Sequence, residues 1–220
     1  MGLDRKTVCR YRSPLGEAIR RRGDLIMTEK QAFQWSSAGR SHVGMVRAIN
    51  EDACLALPEV GLWTVADGMG GHEAGDIASQ MIVETLQQIV PPNDWEEFLN
   101  SVREGLKDVN RRLREESAQR YHNRTIGSTV VVLLLHGAHC ACLWVGDSRI
   151  YRLQNGQLQQ LTRDHSHVQE LVDQGLIASE DAHRHPLANV ITRAVGSTEE
   201  LAIDEAIYPL QAGDMFLLCS

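Results

Sequence analysis

The apolar and polar positions of this chain fall into stretches of helical period and stretches of strand period. Between residues 74 and 90, Ile77, Met81, Ile82, Leu86, Ile89 and Val90 recur at the spacing that lines one helix face. Between 94 and 115 the spacing is kept by Trp95, Phe98, Leu99, Val102, Leu106, Val109 and Leu113. Pro91-Pro92-Asn93-Asp94 separates the two and supplies an N-cap for the second. They are predicted to be antiparallel helices lying on a sheet. Strands are predicted at 41–49, 53–57, 61–66, 127–135, 139–145, 149–154 and 157–161, and Asn155-Gly156 is a hairpin turn because both residues tolerate positive φ. Residues 162–195 read as an insert between strands. There Ser166-His167-Val168-Gln169 has the capping-box pattern of a short helix stopping at Gly175, and Ser179 is a candidate cap for another.

Chemistry concentrates at the ends of the strand-like runs. Asp67-Gly68-Met69-Gly70-Gly71 sets a carboxylate at the end of the apolar run Leu62 to Ala66 and follows it with glycines, which let something approach the main chain closely. Two further acidic stretches, Arg47-Ala48-Ile49-Asn50-Glu51-Asp52 and Gly146-Asp147-Ser148-Arg149, stand at the edges of other strand-like runs. By strand alternation Arg47 and Glu51 share a face and Asp52 points away from it. Joined by Asp67 and Asp147, they describe an oxygen-ligand pocket for a hard divalent cation, with a guanidinium suited to phosphate at its rim. That combination suggests metal-assisted hydrolysis of a phosphate ester. Each part also has a bland reading, Glu51-Asp52 as a solvated strand end and Gly146-Asp147 as an ordinary turn. A nucleotide-binding reading of Gly68 to Gly75 fails by spacing, since Glu73 stands where G-x-G-x-x-G needs its third glycine.

From about Ser37 onward the stretches VGMVRAINEDA, ADGMGGHEAG, GSTVVVLLL, VGDSRIYRL, LTRDHSHVQELVDQGLI, HPLANVITRAVG and AGDMFLLCS resemble, in order, the bacterial metal-dependent serine/threonine protein phosphatases of the PPM family, phosphatase type 2C. The resemblance implies an α+β fold, a four-layer α/β/β/α sandwich of two antiparallel sheets flanked by antiparallel helix pairs. It implies that Arg47 holds the substrate phosphate, and that Glu51 and Asp67 are metal ligands, with Asp67 bridging two ions and Gly68 offering its carbonyl. Asp52 would order the ligands or metal-bound water. Asp147 resembles the acid that helps hold a third, weaker ion. The implied reaction is attack of a bridging hydroxide in a dinuclear Mn²⁺ or Mg²⁺ centre on phosphoserine or phosphothreonine of proteins. The implied partners are phosphorylated proteins and a cognate Ser/Thr kinase. The segment at about 162–195 matches a flap beside the active site, and Asp164, His165 and Ser166 are read there as a helix start rather than as catalytic groups.

Two departures qualify the transfer. Met69 stands where animal and plant members carry a histidine proposed as general acid, and a thioether donates no proton. The chain ends at Ser220, where the family continues with an Asp-Gly pair and, later, an Asp-Asn pair, both supplying ligands. On that ground the metal centre is expected to be incomplete and the last strands and closing helix missing. This supports an alternative, a phosphatase-fold module that binds phosphoprotein without turning it over. A hydrolase of small phosphate esters is a third reading.

Composition narrows the class further. The 220 residues, 43% of them apolar, suffice for one sizeable core. The longest apolar run, Val130 to Leu135, is far short of a membrane span, and no secretory signal is visible. Five cysteines, with Cys140 and Cys142 on one strand face, make no disulfide framework, and the cytoplasm is the expected compartment. His165, His167, His183 and His185 lack cysteine partners at zinc spacing and are read as part of a mobile surface segment. Residues 1–30 hold eight Lys/Arg against four Asp/Glu, leaving fourteen against twenty-five in the remainder. Residues 1–35 are therefore read as a basic extension, either a disordered arm or a segment upstream of a true start at Met27. Residues 36–220 are read as the catalytic domain. So acidic a domain argues against a nucleic-acid partner, and a monomer is expected.

Overall fold

Near-continuous apolar runs such as 130–135 lose contact with water only if both of their faces are covered. The computed structural model, which describes residues 6–12, 34–42, 50–70, 74–92, 94–121 and 124–220, shows what covers them. Its strands are β1 (Lys6–Arg12), β2 (Gln34–Arg40), β3 (Asp52–Leu57), β4 (Leu62–Met69), β5 (Gly127–Ser128), β6 (Val130–His136), β7 (His139–Val145), β8 (Arg149–Gln154), β9 (Gln157–Gln160), β10 (Asp204–Pro209) and β11 (Met215–Cys219). Its helices are α1 (Ala74–Gln87), α2 (Trp95–Arg120) and α3 (His167–Asp173), with a 3₁₀ turn at Ser179–Arg184. One antiparallel sheet runs β2-β1-β11-β8-β9, and the other runs β10-β7-β6-β4-β3 with β5 paired to β4. The result is the α+β sandwich expected.

Alternation along the central strands builds two cores. Leu62 and Ala66 of β4, Val130, Val132 and Leu134 of β6, and Ala141, Leu143 and Val145 of β7 pack with α1 and α2. Trp63 and Val65, Val131 and Leu133, and Cys140, Cys142 and Trp144 point the other way, against Ile150, Phe216 and Leu218 of the second sheet. Helix α2 presents Phe98, Leu99, Val102, Leu106, Val109 and Leu113 to the first core, all fully buried. Each such side chain contributes about 1.5–3 kcal/mol of transfer free energy. Asp94 caps α2 by accepting from the Glu97 amide at 2.9 Å. The Asn155-Gly156 turn closes β8 on β9 with φ of 52° and 79°. Burial desolvates the Cys140 thiol and pushes it up to about 12, as it also raises Cys142. Both are structural, unreactive thiols. Among the described residues no helix is long and apolar enough to cross a membrane.

Several expectations need adjustment. Helix α1 ends at Gln87 and leaves Val90 exposed, because the residue before Pro91 is disfavoured from helical conformation. Helix α2 runs on to Arg120, its polar last turns laced by Arg111–Glu115 and Arg120–Glu116 pairs. The strand predicted at 41–49 falls largely on 43–49, outside the described residues. Gln34–Arg40, for which no strand is predicted, forms β2. Lys6–Arg12, placed by sequence in the basic extension, forms β1 between β2 and β11. Ladder bonding to two neighbours outweighs its polar composition. Ser166 caps α3 by accepting from the Gln169 amide, as predicted, but the 3₁₀ turn is capped from Ala178 without a side-chain bond from Ser179.

Candidate functional site

The hairpin of β3 and β4 brings the acidic residues together. Its register sets Asp52 directly across from Asp67, so their side chains lie on one side of the sheet. Trp63 and Val65 of the same strand point between the two sheets, and alternation carries Asp67 to that side. This corrects the expectation that Asp52 faces away from Asp67. Glu51 precedes the first pair of the ladder, and strand alternation does not govern it. Its carboxylate instead lies against the start of α1, where a Cβ on Gly75 would meet Glu51 Oε1 at 2.5 Å. A Cβ on Gly68 would stand 1.9 Å from the Gly75 carbonyl oxygen and 2.8 Å from that of Glu51. The two glycines thus let β4, α1 and the Glu51 segment close on one another. The Glu51 carbonyl ties the junction by accepting from the Gly68 amide at 3.0 Å and from Ser79 Oγ at 2.6 Å. Asn50 Oδ1 accepts from the Asp52 amide, and Ser220 Oγ, just past β11 in the other sheet, donates to Asp52 Oδ2 at 3.2 Å.

Asp147 reaches this end of the sandwich from the turn after β7. Gly146 makes that turn with φ 108°, and Thr129 leaves no room for a Cβ there. Thr129 also links the two acidic segments. Its amide donates to the Asp67 carbonyl, its Oγ1 accepts from the Asp67 amide, and that oxygen shares a hydrogen bond of 2.7 Å with Ser148 Oγ. Burial, then the charges of Asp164 and Asp67, push the Asp147 carboxyl above its ordinary range. Carboxylates gathered in this way favour a bound cation, which would offset their repulsion.

Arg149 is held beside them by Asp164, through Nε at 2.9 and 3.0 Å and Nη2 at 2.6 Å, and donates to Tyr151 Oη. His165 is buried, which corrects its assignment to a mobile surface segment, and burial holds its imidazole below the ordinary range despite Asp204. Ser166 acts as a helix cap. Arg47 lies outside the described residues. Oxygen donors of Glu51, Asp67, Asp147 and the Gly68 backbone are thus carried to one end of the sandwich, but among the described residues no three acidic, histidine or cysteine side chains stand close enough to share one ion. The sequence assigns no hydrogen-bonding role to Thr129, Ser148, Arg149 or His165. The first three lie inside contiguous motifs, but no periodicity marks a cross-loop hydrogen bond.

Comparison with known proteins bears on this geometry. A solved structure of PppA, described as a key regulatory component of T6SS in Pseudomonas aeruginosa, is 50% identical and superposes with a TM-score of 0.75 over 82% of this chain and 74% of that one. The serine/threonine protein phosphatase PstP of Mycobacterium tuberculosis is 37% identical over 83% of this chain. The PstP catalytic domain, solved in complex with 2 manganese ions, superposes with a TM-score of 0.67 at 35% identity, covering 80% of this chain and 73% of that one. The serine/threonine phosphatase stp of Listeria welshimeri is 39% identical over 71% of this chain. The matched region spans 35% of the length of the mycobacterial relative and 64% of the listerial one. The profile of the family described as Protein phosphatase 2C matches residues 38–220, and this chain belongs to that family.

Proposed function

We propose that this chain hydrolyses phosphoserine and phosphothreonine in proteins, with Mn²⁺ or Mg²⁺ held by Glu51, Asp67, Asp147 and the Gly68 carbonyl. The observation that carries the reading is the register that sets Asp52 opposite Asp67, with Asp147 brought within electrostatic reach of Asp67 from another strand end. Bound divalent ions would supply a water activated at neutral pH and a clamp on the phosphoryl oxygens. Asp67, anchored through its backbone to Thr129, would hold the ions together with Glu51 and the Gly68 carbonyl, and Asp147 would help to hold a further, weaker one. Asp52 is assigned to ordering the donors around Asp67. Arg47 is assigned to the substrate phosphate by resemblance. Met69 donates no proton, so protonation of the leaving alkoxide falls to water or another side chain. The 50% identity to PppA, described as a key regulatory component of T6SS, makes a phosphorylated T6SS component, and the kinase that modifies it, the first partner class to examine. The compartment proposed is the cytoplasm and the state a monomer.

A second reading is a phosphoprotein-binding module without turnover, which the same phosphatase fold would allow. The test is hydrolysis of a phosphothreonine peptide and of a small aryl phosphate, with and without Mn²⁺, by the wild-type chain and Asp67→Asn. Mn²⁺-dependent peptide turnover lost in Asp67→Asn is expected. A folded, inactive chain that still binds the phosphopeptide would replace the first reading by the second, and turnover of the aryl phosphate alone would redirect it to small esters.

A further inference from the structure

We propose that His165 is a positioning residue for the Asp147 turn, its neutral imidazole accepting the Gly146 amide hydrogen at Nδ1 and donating from Nε2 to Asp204. Gly146 is held at both of its polar atoms by this one residue. Its amide donates to His165 Nδ1 at 3.1 Å, and its carbonyl accepts from the His165 amide at 2.8 Å. A backbone N–H can only donate, so Nδ1 is the acceptor, and in the neutral ring the proton is assigned to Nε2. That nitrogen lies 3.2 Å from Asp204 Oδ2, at the start of β10. Arg193 Nη1, 3.4 Å from Nε2, donates to the other Asp204 oxygen at 2.8 Å. The carboxylate is thereby shared between guanidinium and imidazole.

The ring cannot easily turn away from these partners. It is 3% exposed and stacks on Trp144 with centroids 6.3 Å apart, while the Trp144 indole N–H donates to the Arg163 carbonyl at 2.8 Å. The His165 carbonyl accepts from the Thr192 amide, so the ring and its backbone join both ends of the 162–195 segment to the turn. Gly146 itself imposes little on the turn, because glycine at φ 108° has many alternatives open to it. The direction in which Asp147 points is then set by what holds its two neighbours from outside, His165 at Gly146 and Thr129 at Ser148. That this direction matters for cation binding rests on the reading of Asp147 as a ligand. The restraint on the turn does not.

The test uses the whole chain with His165→Phe, which keeps a ring against Trp144 but no acceptor, and His165→Asn, whose Oδ1 can replace Nδ1. Nitrogen-15 NMR of the wild type is expected to show the Nε2–H tautomer. In His165→Phe, with circular dichroism unchanged, the Gly146 amide is expected to exchange about tenfold faster or more. Mn²⁺ affinity by calorimetry is expected to fall about 10–100-fold, with His165→Asn restoring both to within about threefold. The Nδ1–H tautomer, or wild-type exchange at Gly146 in a folded His165→Phe, overturns the proposal. Should His165→Phe fail to fold, the wild-type tautomer and the Asn variant decide. Accelerated Gly146 exchange in a chain whose wild type binds no Mn²⁺ would sink the metal reading and leave the positioning role standing.

Discussion

Gly75→Ala separates the site from the stability of the fold. Gly75 is buried in the first turn of α1, where alanine is the better helix former by at most about 1 kcal/mol. Yet its Cβ would stand 2.5 Å from Glu51 Oε1 and 2.9 Å from the Gly68 carbonyl carbon, against 3.4 Å where ordinary contact begins. The Glu51 carboxylate must retreat by about 0.9 Å, or the β4–α1 junction must open by a similar amount. Overpacking of this kind costs about 1–3 kcal/mol, so net destabilisation is expected near 0–2 kcal/mol and the variant should fold. A displacement near 1 Å at a ligand is large for catalysis, where it costs on the order of 100-fold. The expected outcome is a 10–100-fold fall in Mn²⁺ affinity and in kcat/KM on a phosphothreonine peptide, about 1.4–2.7 kcal/mol of lost stabilisation. Urea unfolding, Mn²⁺ calorimetry and steady-state kinetics on one preparation make the comparison. A folded Gly75→Ala within twofold of wild type in both affinity and kcat/KM would refute the role given to the Gly68–Gly75 approach.

Three other outcomes follow from named contacts. Asp164→Ala strands Arg149, and because the Arg149 side chain is 42% exposed the loss by urea unfolding is expected near 2–3 kcal/mol rather than the 3–5 kcal/mol of a fully buried pair. Asp147, raised by burial and by Asp164 and Asp67, holds its proton more tightly folded than unfolded; in EDTA its contribution to stability declines as pH rises from the ordinary carboxylate value through the folded one. Asp147→Asn should therefore unfold at higher temperature than wild type at neutral pH without metal, and gain less from added Mn²⁺. Asp94→Ala, removing the α2 cap, should cost about 1 kcal/mol and leave Mn²⁺ affinity unchanged, as measured by thermal unfolding and calorimetry.

The local elements were legible in the chain because their causes are local. Helical spacing from Phe98 to Leu113, the Asp94 and Ser166 caps, the Asn155-Gly156 turn and the unbroken apolar runs each state a preference that short-range chemistry satisfies. The family and the acidic stretches at strand ends were legible for the same reason, as contiguous motifs. Three things were decided only by tertiary structure. The face on which Asp52 lies depends on its register against Asp67, and Glu51 escapes alternation because it precedes that ladder. Lys6–Arg12 becomes a strand because two neighbours offer it hydrogen bonds, which no composition discloses. His165, one of several similarly spaced histidines, is singled out by contact with Gly146, Trp144 and Asp204. Periodicity reports which side of an element is apolar. Which elements meet, and in what register, is settled by packing between residues far apart in the chain, and that is where the site's charges find one another.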